Sequence, residues 1–167
     1  MSKVLVVYYS RTGKTRKIAE ELAGALHADV EAIVDTEDRS GVLGYLKSAL
    51  DGMFAKSSII RTPALDPSAY DLVIVGTPVW FSSMSAPAKD YLERMHSHFR
   101  RNLAFFLVHG GTGARRVCLQ MEEVSGKAPL EVLAIRDSDW QSGEHTARVA
   151  AFAQALARHL APAGAIA

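Results

Sequence analysis

The stretch that decides the fold is VLVVYYSRTGKTRKIAEE, residues Val4–Glu21. Its first half has the apolar run of a buried β-strand, and its second half has the periodicity of a helix. Ser10, Thr12, Gly13 and Thr15 lie where the pattern changes. The first amides of a helix have no partners within it and the helix dipole favours negative charge there, so neighbouring hydroxyl groups complete an anion site. The stretch therefore predicts a phosphate ester bound at the end of the first strand.

The composition is that of an ordinary globular domain. The chain has 167 residues, of which 49% are hydrophobic and 22% charged, and its formal net charge is +1. Basic residues form no long run, which argues against nucleic-acid binding, and no apolar run reaches the roughly 20 residues of a membrane span. The single cysteine, Cys118, excludes an intramolecular disulfide and a cysteine-based zinc site. We expect one domain over residues 1–162, a frayed tail over 163–167, no secretion signal and a cytoplasmic location.

Short β-rich runs alternate with helical patterns along the chain. The predicted strands are Lys3–Tyr9, Val30–Val34, Leu72–Gly76, Leu103–Val108 and Leu130–Ile135. Runs such as LVIVG and LAFFLV are apolar on both faces, which is typical of parallel strands covered by helices on both sides. Strict alternation of strands and helices predicts an α/β fold, a doubly wound parallel sheet of five strands. We expect the strand order 2-1-3-4-5, with helices on both faces.

The predicted helices follow from apolar stripes and from helix-start signals. The stripes are Ile18, Leu22, Ala25 and Leu26; Val42, Leu46, Leu50 and Met53; and Val149, Phe152, Leu156 and Leu160. Pro87 fits the first turn of a helix that runs to about Met95, and Gly113 begins the fourth helix. Cys118 is expected to be a small buried residue on that fourth helix.

Three loops converge at the carboxyl edge of a sheet with this strand order. They read SRTGKT after strand 1, TPVWFSSMSAP after strand 3 and HGGTGARR after strand 4. Trp80 and Phe81 offer aromatic surfaces on which a planar ligand can stack, and the glycines of the third loop permit close backbone approach. A phosphate site, a ring site and tight backbone contacts are together what a mononucleotide requires.

Particular residues argue against other classes of protein that bind phosphate groups. Tyr8 stands where a P-loop requires its first glycine, and the three spaced glycines of a dinucleotide-binding turn are absent. Ser10 and Thr77 occupy the positions where a phosphorylated receiver domain has acidic residues. Cys118 lies far from the phosphate loop, which excludes a cysteine phosphatase. The six histidines show no metal-ligand spacing, and of them His109, at the end of strand 4, is expected in the crevice while most of the others are expected in solvent.

The stretch YYSRTGKTRKIAEELA resembles the signature of the flavodoxin family, in which a Ser/Thr-x-Thr-Gly-x-Thr loop surrounds the phosphate of FMN. The resemblance extends to the order of elements over essentially the whole chain, and it implies the flavodoxin-like fold and noncovalent FMN. The second loop is similar to the ring-binding loop Phe-Gly-Asn-Met of flavodoxin-like NAD(P)H:quinone oxidoreductases. Phe81 and Met84 match that loop, whereas Ser82 and Ser83 replace its glycine and asparagine.

The resemblance also implies which residues bind the cofactor. The phosphate would be held by Ser10, Arg11, Thr12, Gly13, Lys14 and Thr15. The isoalloxazine would be bordered by Pro78, Val79, Trp80 and Phe81, and its pyrimidine side by His109, Gly110, Gly111, Thr112 and Gly113. The chemistry would belong to FMN, with no catalytic side chain and no metal. Asp139 and Trp140 stay outside this set.

The charge of the chain bears on its function. Electron-carrying flavodoxins are strongly acidic, whereas this chain is nearly neutral, and Arg115 and Arg116 follow the third loop. We therefore predict an NAD(P)H-dependent oxidoreductase that passes two electrons through FMN to a quinone-like acceptor. A one-electron flavodoxin-type carrier, served by a protein reductase and a redox-protein acceptor, is one alternative. A non-redox binding or regulatory module is the other, and a homo-oligomer stays open.

Overall fold

The computed structural model describes residues 2–36, 60–99 and 101–161. The strands are β1 (Val4–Tyr8), β2 (Asp29–Ala32), β3 (Leu72–Trp80), β4 (Ser83–Met84), β5 (Asn102–His109) and β6 (Val132–Arg136). The α-helices are α1 (Lys14–Leu26), α2 (Ala86–Met95), α3 (Ala114–Ser125), α4 (Asp137–Ser142) and α5 (Glu144–Leu160). Pro67–Ala69 and His96–His98 form single 3-10 turns. The predicted helix with the stripe Val42–Met53 and the predicted tail 163–167 lie outside the described residues.

Within the described residues, five parallel strands form the sheet, in the order β2-β1-β3-β5-β6. Because β5 and β6 are the fourth and fifth parallel strands along the chain, the predicted order 2-1-3-4-5 is confirmed. The two-residue strand β4 pairs antiparallel with the end of β3 and lies off this path. The flavodoxin-like α/β architecture therefore places the ends of β1, β3 and β5 at one edge, as expected of a doubly wound sheet.

Two apolar layers cover the sheet, one on each face. Phe105 belongs to the layer that also contains Tyr91 of α2 and Met121 of α3. Its neighbour Phe106 belongs to the layer that contains Leu22 of α1 and residues of α5. Successive side chains of a strand point to opposite faces, so a strand apolar at every position is buried on both. Among the described helices, none is long and apolar enough to cross a membrane.

The third strand is longer than its pattern predicts. An end at Gly76 is wrong, because β3 continues to Trp80 and then turns back to pair Val79 with Met84. Inside this hairpin the Oγ1 atom of Thr77 accepts a hydrogen bond of 3.1 Å from the backbone N–H of Ser85. The hairpin therefore adds a strand extension where the sequence pattern shows a loop. The other predicted strands agree with the structure to within two residues at each end.

One predicted helix stripe needs correction. Ile18 and Leu22 of α1 are buried, but Ala25 is exposed, and Ala19 and Ala23 complete the buried face instead. An alanine adds little apolar area, so the periodicity of the larger side chains decides which face packs. The stripe of α5 is confirmed over its first three positions, which are buried, and the fourth is partly buried.

Candidate functional site

The first loop joins β1 to α1 at the carboxyl edge of the sheet. The Oγ atom of Ser10 accepts a hydrogen bond of 3.1 Å from the backbone N–H of Gly13. Gly13 has φ 93°, a conformation that favours glycine, and a Cβ atom there would meet nothing within 4 Å. Thr12 is exposed, whereas Thr15 is buried in the first turn of α1. The loop therefore presents open backbone and a hydroxyl group at the start of a helix of 13 residues.

Lys14 and Asp137 form an ion pair across this edge. The Nζ atom of Lys14 lies 2.6 Å from Oδ1 of Asp137, and the two side chains are 40% and 43% exposed. The Oδ2 atom of Asp137 lies 3.5 Å from the position that a Cβ atom on Gly110 would occupy. One carboxylate therefore connects the first loop to the third. Sequence reasoning missed Asp137, although its place directly after the fifth parallel strand was a usable signal.

The second loop brings an aromatic residue against the first. Trp80 packs edge-on against Tyr9, with 5.6 Å between ring centroids, and Cζ of Arg11 lies 5.5 Å from the Trp80 ring centroid. Trp80 is 9% exposed and belongs to β3, so the expectation that it sits in a loop is wrong. Phe81 follows in the turn and is 59% exposed. Of the two predicted ring-binding aromatics, Phe81 has the greater surface open to a ligand.

The second and third loops touch at Gly113. Gly113 has φ 93° and caps the start of α3, as predicted, and a Cβ atom there would lie 2.7 Å from the Cα atom of Ser82. Only a residue without a side chain fits this approach. The neighbouring loop residues Gly110, Gly111 and Thr112 are exposed, and Pro78 and Val79 on the adjoining strand are half-buried.

His109 is the last residue of β5, at the start of the third loop. Its ring is buried at 6% exposure, and its Nδ1 atom has no hydrogen-bond partner among the described residues. Burial, followed by the positive charge of Arg136, lowers the pKa of His109 below its usual range. This shift favours the neutral form of the imidazole. The expectation that most other histidines lie in solvent holds for His27, His96 and His159, but His145 is buried.

A cavity of about 500 Å³ lies beside the third loop. Its lining includes Arg115, Arg136, Arg148 and Asp139, together with His109. The Oδ2 atom of Asp139 accepts a hydrogen bond of 2.9 Å from the backbone N–H of Arg136 and pairs with the guanidinium of Arg148. Arg136 ends the fifth parallel strand, so its position was again available from the predicted topology, whereas nothing in the sequence pattern pointed to Arg148.

Three further predictions concern Arg116, Trp140 and Cys118. Arg116 is exposed and does not belong to the cavity lining, in contrast to Arg115. Trp140 stacks on His145, with 4.2 Å between ring centroids, and Nζ of Lys17 in α1 lies 5.1 Å from the Trp140 ring centroid. Cys118 lies on α3 as predicted but is only partly buried, and burial raises the pKa of its thiol. The protein therefore keeps this thiol protonated at pH 7.

The donor set at this edge fits a phosphate ester joined to a flat ring. The open space around Gly13, the hydroxyl group of Thr12 and the ammonium group of Lys14 suit a phosphate. The exposed ring of Phe81 and the glycines before α3 suit a planar group. Lys14 is the first residue of α1, and the other residues lie on the three loops at this edge.

The sheet order and the loop after β1 define a protein of the flavodoxin-like class. Residues 2–147 match the model of the NADPH-dependent FMN reductase family, and the chain belongs to that family. The chain is similar to a flavoprotein from Lactobacillus acidophilus NCFM solved in complex with FMN. The identity is 27% and the TM-score 0.71, over 85% of this chain and 98% of that one.

The chain is also similar to two other proteins. A putative flavoprotein from Bacteroides eggerthii DSM 20697 has 20% identity and a TM-score of 0.72, over 90% of this chain and 99% of that one, which is a likeness of fold. An NAD(P)H dehydrogenase (quinone) from Gluconacetobacter diazotrophicus is 34% identical over 101 residues. That match covers 56% of this chain and 47% of the relative, so the chain matches about half of the relative's length.

The comparisons confirm three predictions made from the sequence. The flavodoxin-like family, the flavodoxin-like fold and FMN as the cofactor are each confirmed by the family match and by the solved flavoprotein. The NADPH dependence in the family's description agrees with the predicted class of electron donor. The predicted binding residues, the electron acceptor and the assembly state stay predictions.

Proposed function

We propose that this protein is an FMN-dependent oxidoreductase that takes two electrons from NAD(P)H and passes them to a quinone-like acceptor. The observation that carries the proposal is the mutual contact of the three loops at the carboxyl edge. Trp80 lies against Tyr9 and Arg11 of the first loop, and Ser82 lies against Gly113 of the third. This contact supports one continuous site for a phosphate and a ring.

The first loop is the proposed phosphate site. The backbone around Gly13, the hydroxyl groups of Ser10 and Thr12 and the ammonium group of Lys14 supply donors of the kind that bind phosphate. Arg11 lies beside them over Trp80 and adds positive charge. A phosphate must compete with Asp137 for Lys14, so the ion pair between these two residues sets part of the affinity.

The second and third loops form the proposed ring site. Phe81 offers an exposed aromatic face, and Gly110 and Gly111 allow a ring to approach the backbone. Arg115, at the start of α3, is exposed beside the same loop. A cation at this place favours the extra negative charge of a reduced ring, which supports two-electron chemistry over a one-electron carrier.

The redox chemistry is supplied by FMN when it is bound. NAD(P)H would lose a hydride, and the quinone would gain two electrons and two protons, one of them from solvent. The residues of this chain would bind, orient and exclude water, and none of them is assigned the transfer of a proton. The family's description supports NADPH as donor, and the partial match to an NAD(P)H dehydrogenase (quinone) supports a quinone acceptor.

An anaerobic reaction tests this proposal. The purified protein, loaded with FMN, is mixed with NADPH or NADH and a soluble benzoquinone. We expect one nucleotide to be oxidised for each quinone reduced, at a rate that depends on FMN. A redox titration of the same sample should show a single two-electron transition. Two well-separated one-electron transitions without nucleotide oxidation would instead indicate the electron carrier, and failure to bind FMN would indicate the non-redox module.

A further inference from the structure

One face of α1 contacts the helix that follows the fifth parallel strand. Lys14, Lys17 and Glu21 lie on this face, because residues three and four positions apart are neighbours on the surface of a helix. Lys14 forms its ion pair with Asp137, the first residue of α4. Nζ of Lys17 lies 5.1 Å from the ring centroid of Trp140, three residues further along α4. Two successive contacts therefore join α1 to α4.

A stacked pair of rings extends this contact into α5. The rings of Trp140 and His145 have 4.2 Å between their centroids and 20° between their planes. Nε2 of His145 lies 4.0 Å from Oε1 of Glu21 and 3.5 Å from Oγ1 of the neighbouring Thr146. The stack therefore contacts α1 at Lys17 and at Glu21, which are one helical turn apart.

The polar atoms of this cluster are poorly satisfied. His145 is 8% exposed, and its Nδ1 atom has no hydrogen-bond partner among the described residues. The buried Oε2 atom of Glu21 has none among them either. Unpaired polar atoms inside a protein lower its stability, and an apolar residue at position 145 would avoid that cost. Local conflicts of this kind are found at functional sites, so the cluster points to a role other than stability.

We propose that Trp140 and His145 are positioning residues that hold Asp137 against Lys14 and so set how strongly the first loop binds the phosphate of FMN. This inference rests on the proposed phosphate site of the first loop. Asp137 and Trp140 are three residues apart on one short helix, so they share a face and move together. Packing of Trp140 against α1 keeps the carboxylate of Asp137 at Nζ of Lys14, where it competes with the phosphate for this ammonium group.

Another contact also holds α4 and has to be distinguished from this one. Oδ2 of Asp139 accepts a hydrogen bond from the backbone N–H of Arg136 and pairs with the guanidinium group of Arg148. That contact joins α4 to β6 and α5, whereas Trp140 joins α4 to the helix that begins at the first loop. The contact through Trp140 therefore acts directly on the distance between Asp137 and Lys14.

Paired fluorescence titrations with FMN and with riboflavin test the inference. The two flavins differ by the phosphate, so a change confined to FMN reports on the first loop and not on the fold. Trp140→Leu removes both the ring stack and the contact with Lys17, and it should tighten FMN binding by up to about fivefold and leave riboflavin binding unchanged. Trp140→Phe keeps an aromatic face and should stay close to the wild type. The matched control His159→Leu removes an exposed ion pair between α5 and Glu131 and should change neither affinity.

A double-mutant cycle shows whether Trp140 acts through Asp137. In the Asp137→Asn background, Trp140→Leu should cause no further change in FMN affinity, because the competing carboxylate is already absent. His145→Leu removes the other ring of the stack and should tighten FMN binding in the same way as Trp140→Leu. If Trp140→Leu fails to fold, His145→Leu completes the same cycle.

Each other outcome has a definite meaning. Equal changes in FMN and riboflavin affinity in Trp140→Leu would show a general structural effect and overturn the inference. Weaker FMN binding, or effects of Trp140→Leu and Asp137→Asn that add, would overturn it as well. An unchanged FMN affinity would show that Asp139 and Arg148 suffice to hold α4. Equal affinity of the wild type for the two flavins would refute the proposed phosphate site itself, whereas a wild-type preference for FMN that these variants leave unchanged would overturn the positioning role alone.

Discussion

Replacing Gly113 by alanine should separate the two loops that meet at this residue. The substitution has two costs. Alanine at φ 93° is strained by about 1–2 kcal/mol, and a Cβ atom 2.7 Å from the backbone of Ser82 adds an overpacking cost of about 1–3 kcal/mol. We therefore expect Gly113→Ala to lower the free energy of unfolding by about 2–5 kcal/mol. Urea denaturation followed by tryptophan fluorescence measures this loss.

Two matched variants isolate the contact with Ser82. Gly13 has the same φ of 93° but open space around its Cβ position, so Gly13→Ala should lose only the strain energy of about 1–2 kcal/mol. Gly126, at the other end of α3, also has positive φ and open space, and Gly126→Ala should leave FMN affinity unchanged. Gly113→Ala should weaken FMN binding, because the second loop must move. Equal destabilisation by Gly113→Ala and Gly13→Ala would refute the account of the loop contact.

Three further predictions concern charge, ring stacking and pH. Asp137→Asn should tighten FMN binding by up to about fivefold, because an exposed ion pair of about 0.2–1 kcal/mol no longer holds Lys14; fluorescence titration measures this. Phe81→Ala should weaken FMN by about 2–10-fold at unchanged stability, whereas Trp80→Ala should lower the unfolding free energy by about 3–5 kcal/mol. Because the pKa of His109 is lowered in the folded protein, the unfolded chain binds a proton at this residue more readily. The free energy of unfolding should therefore fall as the pH falls below about 6.5. In His109→Gln, the free energy of unfolding should change less with pH in this range.

Each of these predictions has its own contradicting result. Glu20→Gln removes the exposed ion pair with Arg16 on the same helix and should not change FMN affinity. If Glu20→Gln tightens FMN binding as much as Asp137→Asn does, the effect of Asp137→Asn comes from net charge and not from the release of Lys14. Loss of stability in Phe81→Ala would show that this ring supports the fold rather than the ligand. A wild-type acid sensitivity that persists in His109→Gln would assign it to other groups.

The sequence predicts the sheet well because strands that are buried on both faces are apolar at nearly every position. The run LVIVG is typical of a strand covered on both faces, and its place beside β1 followed from the predicted topology. The hairpin after Gly76 could not be predicted from the sequence. Trp80 and Phe81 are both large aromatic residues, and only the packing of Trp80 on Tyr9 shows which of them belongs to the strand. The first loop could be predicted because the residues that favour the start of a helix lie next to one another in the sequence.

The residues after the fifth parallel strand were the weakest part of the prediction. Asp137, Arg136 and Arg148 join the site through contacts between elements that are far apart along the chain. A pattern within one segment carries no information about such pairs. Strand ends can be listed from the topology, but which of their side chains meet depends on packing.

The central claim is that the loop Ser10–Thr15 holds the phosphate of FMN. The most direct measurement compares FMN with riboflavin, which differs by that phosphate alone, in parallel fluorescence titrations of the purified protein. Charged hydrogen bonds of about 1.5–3 kcal/mol each predict that FMN binds at one per chain and at least about 100-fold more tightly than riboflavin. Equal affinity for the two flavins, or binding of neither, would contradict the claim.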